Sequence, residues 1–300
     1  MNLQDLLNDR RAGSIALRVS RMIPPAFGVH LADFVANRVA ASTDTPMVQG
    51  IRANQWMVSG KQLSGADLDH AVDQTVKHIA RSFFNLFHYL EQLDRFSQFL
   101  DYDARSLDVI ESSQQGRQGL IVLGLHSSSS DLVLQASARA GLKALALSLP
   151  DPSEVIEWQH ELRRRAGVEI LPASIHNIRQ TIDRLKAGET VLTGLDRPVP
   201  DTKYHPRFFG HPAVVPVHYI QLALKANVPL VVMSSIELEN RRYSVFSSDY
   251  IHLDRYPDRH TEIILNAEKV LKVAEEFIRR APQQWTIFQP VWPDLISQVP

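Results

Sequence analysis

Residues 119–131 read GLIVLGLHSSSSD and contain the strongest structural signal in the chain. A short, uninterrupted apolar run such as residues 119–125 is typical of a strand that is buried on both faces. His126 follows this run directly, and the serines at 127–130 are residues that commonly cap helix starts. The stretch therefore predicts a buried strand, a tight turn and a helix that begins near Ser130.

The same alternation of strands and helices continues towards the carboxyl terminus. This order predicts an α/β fold with an open, largely parallel sheet that is flanked by helices, and it places the chemistry beyond the carboxyl ends of the strands. Leu125/His126, residues 148–151 and Leu195/Asp196 are the three expected strand ends. Strands are predicted over 119–125, 143–148, 168–171, 189–195 and 229–236, with a hairpin to 242–246, and helices over 130–139, 154–165, 175–186, 212–226 and 261–280.

The first hundred residues have helical spacing instead. We expect residues 1–100 to form an amino-terminal helical, membrane-facing region and residues 101–300 to form the α/β core, in one continuous domain. Residues 1–40 contain five arginines and three aspartates among their apolar residues. That pattern fits an interfacial helix on anionic lipid, and it also fits a helix packed on its own core. The aromatic stretch 68–93 is expected to bury one broad face.

Composition excludes several functional classes. The chain has 300 residues and no cysteine, which excludes disulfides, a thiol nucleophile and cysteine-ligated metals. Its 32 basic and 33 acidic side chains nearly balance, so no nucleic-acid partner is expected. No apolar run approaches the roughly 20 residues of a membrane span, and the start lacks the order of a signal peptide. We expect a protein on the cytoplasmic side, with no metal site.

His126 and Asp131 are the first candidates for chemistry. Across a strand-to-helix turn, the Asp131 carboxylate could accept the Nδ1–H of His126, fix its tautomer and leave Nε2 as a general base. The free N–H groups at the helix start favour an anion. Alternatively, His126 only caps the strand and Asp131 serves the helix dipole. The nucleophile elbow G-x-S-x-G, both nucleotide-binding glycine motifs and H-E-x-x-H are absent from the sequence.

Several blocks of sequence resemble one known family. The H-x4-D motif after a buried strand is similar to the signature of glycerolipid-type acyltransferases. Four further blocks resemble the late acyltransferases of lipid A biosynthesis and the related phosphatidylinositol mannoside acyltransferases, in the same order and spacing from residue 51 to 293. They are ELRRRAG (161–167), LKAGETVLTGLDRPVP (185–200), RFFGHPAVVPVHYIQLALKANVPLVVM (207–233) and APQQWTIFQPVWPD (281–294).

The resemblance implies transfer of a fatty acyl chain from an acyl-CoA or acyl-carrier-protein thioester to a hydroxyl of a membrane glycolipid. It implies a peripheral enzyme on the cytoplasmic face of the membrane, without a tightly bound cofactor. It also implies roles for particular residues: His126 as base, Asp131 as its orienting partner, Arg163 (with Arg164 as the fallback) as the arginine near the site, Asp196 and Arg197 as the acid block, Ser127 as a substrate contact, and Phe208 and Phe209 as a turn that walls the pocket.

Two other functions remain open at this stage. A lysophosphatidate or glycerol-phosphate acyltransferase shares the H-x4-D motif, but those relatives carry Pro-Glu-Gly where this chain has Leu195-Asp196-Arg197. A lipid-binding member of the fold without catalytic activity is the other alternative. The aspartate at position 131, where lipid A enzymes usually have glutamate, is closer to the mannoside and glycerolipid relatives. The acceptor, the chain length and the choice between the two donors are not predicted.

Overall fold

A computed structural model describes residues 19–148 and 154–300. The predicted amphipathic start up to residue 18 and the expected strand end at 149–151 therefore lie outside the described residues. The helices are α1 (Pro25–Ala40), α2 (Pro46–Val58), α3 (Gly65–Tyr89), α4 (Leu93–Ser97), α5 (Ala104–Gln115), α6 (Ser130–Arg139), α7 (Glu154–Arg165), α8 (Ile175–Lys186), α9 (His218–Ala226) and α10 (Arg259–Arg280). The strands are β1 (Leu100–Tyr102), β2 (Leu120–Gly124), β3 (Leu145–Ser148), β4 (Glu169–Pro172), β5 (Thr190–Gly194), β6 (Arg207–Phe208), β7 (His211–Pro212), β8 (Leu230–Glu237) and β9 (Tyr243–Ser247).

Seven strands form one sheet in the order β1-β9-β8-β2-β5-β3-β4. Neighbouring strands are parallel except β8 and β9, which form the antiparallel hairpin predicted from the sequence. The fold class predicted from the sequence is thus confirmed: a largely parallel sheet flanked by helices. From β2 the chain continues to β3 on one side of the sheet, and from β5 it continues to β8 on the other side. Ligands of open α/β sheets bind at such a switch point between neighbouring strands.

Burial explains why β2 lies at the centre of the sheet. Its four residues from Leu120 to Leu123 have no solvent exposure, because helices cover both faces. Ile121 and Leu123 belong to the cluster that includes residues of α9 and α10, and Leu120 and Val122 belong to the cluster that includes residues of α5. The uninterrupted apolar run follows from this double burial.

One predicted helix boundary is wrong, and one strand of the seven-stranded sheet was not predicted. The helix expected over 212–226 begins only at His218, because Pro212 and Pro216 hold the preceding backbone extended and β7 uses His211 and Pro212. The short strand β1 was not predicted. It pairs in parallel with β9. Three residues are too few to show the alternation of apolar and polar side chains by which a strand is recognised in a sequence.

The amino-terminal helices pack on one another with an unusual distribution of side chains. The face of α1 that packs on α3 carries only small buried residues, Gly28, Ala32 and Ala36. A Cβ at Gly28 would overlap the ring of Phe84, so any larger residue would force this ring to move. Phe27, Leu31 and Phe34 of α1 are exposed instead. No helix among the described residues is long and apolar enough to cross a bilayer.

Candidate active site

The carboxyl ends of β2 and β5 bring a histidine and an aspartate together. The two strands pair in register, with Gly124 opposite Gly194. His126 and Asp196 each follow their glycine by two residues, and Nδ1 of His126 lies 2.6 Å from Oδ1 of Asp196. A Cβ at Gly194 would lie 3.1 Å from Cε1 of His126, so the glycine leaves room for the ring. The register between β2 and β5 therefore brings His126 and Asp196 into contact.

Asp196 is buried and held by three hydrogen bonds. Besides its contact with the ring, its Oδ2 accepts the backbone N–H of His126 at 2.9 Å and the indole N–H of Trp285 at 2.8 Å. Burial by itself raises the pKa of Asp196, but the interaction with His126 and these hydrogen bonds outweigh it and hold the pKa below its usual value. The carboxylate is thus ionised and fixed against Nδ1.

The carboxyl-terminal segment fixes the backbone of the histidine as well. The carbonyl of His126 accepts the backbone N–H of Thr286 at 2.8 Å and the hydroxyl of the same residue at 3.0 Å. The ring of His126 keeps 34% of its side-chain surface exposed. Among the described residues, Nε2 has no hydrogen-bond partner. This arrangement presents one ring nitrogen for chemistry and anchors the other.

Asp131 does not contact His126, so the predicted orienting pair is wrong. Asp131 is the second residue of α6, and its carboxylate accepts a hydrogen bond at 2.7 Å from Nε of Arg163 on α7. The helix turns residue 131 away from the end of β2 and towards its neighbouring helix. Burial lowers the pKa of Arg163, but the Asp131 carboxylate reverses the effect and raises it. Asp196 takes the place against Nδ1 that the sequence analysis gave to Asp131.

The serine turn is packed and hydrogen-bonded. Ser129 adopts a left-handed conformation with φ of 55°, and its N–H donates to Oγ of Ser82 on α3. The hydroxyl of Ser127 lies 3.3 Å from that of Ser235 on β8. These contacts tie the turn between α3 and the sheet and so fix where α6 begins.

A cavity of about 630 Å³ opens beside His126. Of the predicted site residues, it is lined by His126, Ser127, Asp131, Arg163 and Arg197. Ile79, Phe83 and Leu86 of α3 line it too, so the aromatic helix forms one of its walls. A largely apolar cavity with a few convergent polar groups is the usual form of a small-molecule site.

The three predicted arginines have different surroundings. Arg163 lines the cavity in its pair with Asp131, whereas the fallback residue Arg164 pairs with Glu157 on the outer side of α7 and does not line it. Arg197 lines the cavity and makes no ion pair within the described part of the chain. Burial lowers the pKa of Arg197, which nevertheless stays cationic at neutral pH.

The turn with Phe208 and Phe209 supports the site from behind and does not line the cavity, which corrects the prediction. Phe208 has no solvent exposure and packs edge-to-face on Trp285, with ring centroids 6.0 Å apart. It also stacks on Trp292 at 5.6 Å. Phe208 thus holds the indole that donates to Asp196.

Two contributors were not recognised in the sequence: Trp285 and Thr286. Both lie in the block APQQWTIFQPVWPD, which carried the resemblance but was given no role. The repeated pattern Gly-Leu-His at 124–126 and Gly-Leu-Asp at 194–196 was also available. It places His126 and Asp196 at the same position after a glycine, so it marks them as a pair once β2 and β5 are known to be neighbours.

One comparison with known proteins identifies a family for this chain. A search of curated proteins by sequence gave no match. No group of three histidine or acidic side chains in residues 19–148 and 154–300 is arranged to hold a metal ion. The family described as bacterial lipid A biosynthesis acyltransferase matches residues 9–293, nearly the whole chain. The chain therefore belongs to this family of acyltransferases of lipid biosynthesis.

Proposed function

We propose that the protein transfers a fatty acyl chain from an acyl-CoA or acyl-carrier-protein thioester to a hydroxyl of a membrane glycolipid, with His126 as the general base. One observation supports this above the others. The carboxylate of Asp196 is hydrogen-bonded to Nδ1 of His126, which lines a large apolar cavity. Nε2 of His126 has no hydrogen-bond partner among the described residues. A carboxylate at Nδ1 fixes the tautomer in which Nε2 accepts a proton.

The reaction needs no covalent intermediate on the protein. Nε2 of His126 takes the proton of the acceptor hydroxyl while its oxygen attacks the carbonyl carbon of the thioester. The new C–O bond forms, and the C–S bond breaks when the tetrahedral intermediate collapses. The proton then passes from His126 to the departing sulfur, which leaves an ester and a free thiol. A positioned base of this kind contributes about 10²–10⁴-fold to the rate.

The negative charge that develops on the carbonyl oxygen requires donors. Arg163 is one candidate, because it lines the same cavity and Asp131 holds it in place. The N–H groups at the start of α6 are the other. The N–H groups of Ser129 and Ser130 donate to Ser82 and Ser127, and that of Val133 donates to Ser129. The N–H groups of Asp131 and Leu132 are the ones that remain for the oxyanion.

The membrane supplies the acceptor in this proposal. The outer face of α1 carries Phe27, Leu31 and Phe34 with 62%, 43% and 57% exposure, and Arg38 stacks over the ring of Phe34. Contiguous exposed apolar side chains with an adjacent cation suit an anionic lipid surface. We propose that α1 rests on the cytoplasmic face of the membrane and brings the cavity to its lipid substrate.

The test is acyl transfer from long-chain acyl-CoA and acyl-carrier protein to glycolipid extracted from bacterial membranes, scored per folded molecule. Wild-type protein should form the acylated lipid, and His126→Ala should lower kcat by about 10²–10⁴-fold because the base is lost. His176→Ala, on the surface helix α8, is the matched control and should keep wild-type activity. Undiminished activity of His126→Ala would refute the mechanism, and no transfer by wild type from either donor would refute the function.

A further inference from the structure

The cavity reaches both faces of the sheet. Strands β3 and β5 pair only up to Ala146 and Leu192. Beyond that point β5 continues with β2 to Gly194, and β3 continues with β4 to Ser148. The two strands therefore part at their carboxyl ends, and residues on both sides of this gap line the cavity.

The lining residues fall into two groups, one on each face of the sheet, and we call the corresponding parts of the cavity the α6 branch and the α9 branch. The α6 branch lies on the face covered by α6 and is lined by Val122, Leu134, Leu142 and Leu192, which share one cluster of the core. The α9 branch lies on the opposite face, between α8 and α9, where Leu147 and Leu222 belong to the other cluster. The α9 branch is lined by Ile178, Ile182, His218, Gln221, Leu222 and Lys225.

The α9 branch carries a polar stripe that the α6 branch lacks. His218, Gln221 and Lys225 stand at positions i, i+3 and i+7 of α9, so they share one helix face. Seven residues of helix span about 10 Å, which is the length of the stripe. Neither Gln221 nor Lys225 makes a hydrogen bond or ion pair with any described residue. The stripe thus offers an amide and a cation that the protein itself leaves unused.

The stripe begins close to the catalytic pair. His218 lies 2.9 Å through Nε2 from the hydroxyl of Thr193, and Thr193 precedes the glycine that packs under His126. Burial lowers the pKa of His218 to about 4, so its ring is neutral at physiological pH. The branch therefore presents neutral hydrogen-bonding groups near His126 and a positive charge at its far end.

We propose that the α9 branch binds the phosphopantetheine arm of the acyl donor, while the α6 branch holds the acyl chain. This assignment rests on the proposed acyl transfer. The arm has amide groups that match His218 and Gln221, and its phosphodiester matches the ammonium of Lys225. A hydrocarbon chain in this branch would leave these polar groups desolvated and unpaired, which is costly. Coenzyme A and acyl-carrier protein share this arm, so the site serves either donor.

The test compares Lys225→Glu with Lys272→Glu, an exposed lysine on α10 outside the cavity. Lys225→Glu should raise KM about 10-fold for both acyl-CoA and acyl-carrier protein, since a charge-assisted contact to the phosphodiester becomes a repulsion. Unacylated coenzyme A should inhibit this variant about 10-fold less well than wild type. Lys225→Arg should restore most of the affinity, and Lys272→Glu should behave as wild type.

Leu134→Trp in the α6 branch supplies the reciprocal measurement. It should shift the preferred donor to shorter acyl chains and leave inhibition by unacylated coenzyme A as in wild type. The proposal is overturned if Lys225→Glu changes the chain-length preference, if its KM stays that of wild type, or if it weakens only acyl-CoA, which would place a nucleotide phosphate at Lys225. Failure of the proposed function is separate, because wild type would then transfer no acyl chain at all.

Discussion

At the scale of residues, the site depends on which carboxylate faces His126. Asp196 meets Nδ1 because it follows Gly194 by the same two residues by which His126 follows Gly124, and the two glycines are paired across β2 and β5. Asp131 belongs to α6, and its carboxylate accepts a hydrogen bond from Arg163. In the proposed mechanism the H-x4-D motif therefore has two parts: a base that Asp196 orients, and a carboxylate that orients an arginine.

This division predicts distinct behaviour for Asp131→Asn. Loss of the carboxylate frees Arg163 but leaves His126 and Asp196 in place, so kcat/KM should fall about 10-fold while the pH dependence of the rate keeps its wild-type shape. Arg163→Ala should cost a similar factor, and the double variant should be little worse than either, because the two side chains act as one unit. The measurement is kcat/KM for acyl transfer across pH.

Arg165→Ala is the matched control, since Arg165 lies on the same helix with its side chain exposed and paired with Glu161. It should retain wild-type activity. A shifted pH profile in Asp131→Asn would mean that Asp131 does act on the base, contrary to the geometry. A large loss of thermal stability in Arg163→Ala, with activity per folded molecule unchanged, would make the pair purely structural.

At the scale of elements, α1 differs from an ordinary surface helix, because it buries small residues and exposes large apolar ones. Its small residues face α3, and its exposed side carries Phe27, Leu31 and Phe34. Burying a phenylalanine is worth about 1.5–3 kcal/mol, so a helix that leaves two of them in water gives up stability. A lipid surface would recover it.

Vesicle flotation checks this reading of α1. Phe27→Ser with Phe34→Ser should lower binding to vesicles that contain anionic lipid by at least 10-fold, because the apolar contact is lost. Wild-type binding should weaken as salt rises, since nearby arginines add about 1 kcal/mol each at low ionic strength. Leu107→Ser, an exposed leucine on α5, is the control. Equal flotation of the double variant and wild type would exclude α1 as the membrane contact.

Elements with a strong period were predictable from the sequence, and short or proline-bounded ones were not. The apolar run of β2 and the aromatic stripe of α3 have clear physical causes, namely burial on both faces and burial on one face. β1 has three residues and depends on β9 for its hydrogen bonds. The start of α9 depends on Pro216, whose effect on the preceding backbone outweighs the helical spacing that continues upstream.

At the scale of the whole molecule, the site joins three distant parts of the chain. His126, Asp196 and Trp285 meet only because β5 returns beside β2 after β3 and β4 have been added at the edge, and because the carboxyl-terminal segment crosses the strand ends. The sequence predicts the residues at the strand ends but not which ends are neighbours. Asp196 could therefore be identified as a site residue, while its contact with His126 required the strand order.

The measurement that tests the account most directly is kcat for acyl transfer in a double-mutant cycle at His126 and Asp196. In Asp196→Asn the amide oxygen can still accept from Trp285, but its NH₂ faces Nδ1 and favours the tautomer with a protonated Nε2, which cannot act as a base. We predict a 10²–10⁴-fold loss for Asp196→Asn, and a double variant with His126→Ala that is no slower than His126→Ala alone. Near-wild-type kcat in folded Asp196→Asn, or losses that multiply in the double variant, would contradict the account.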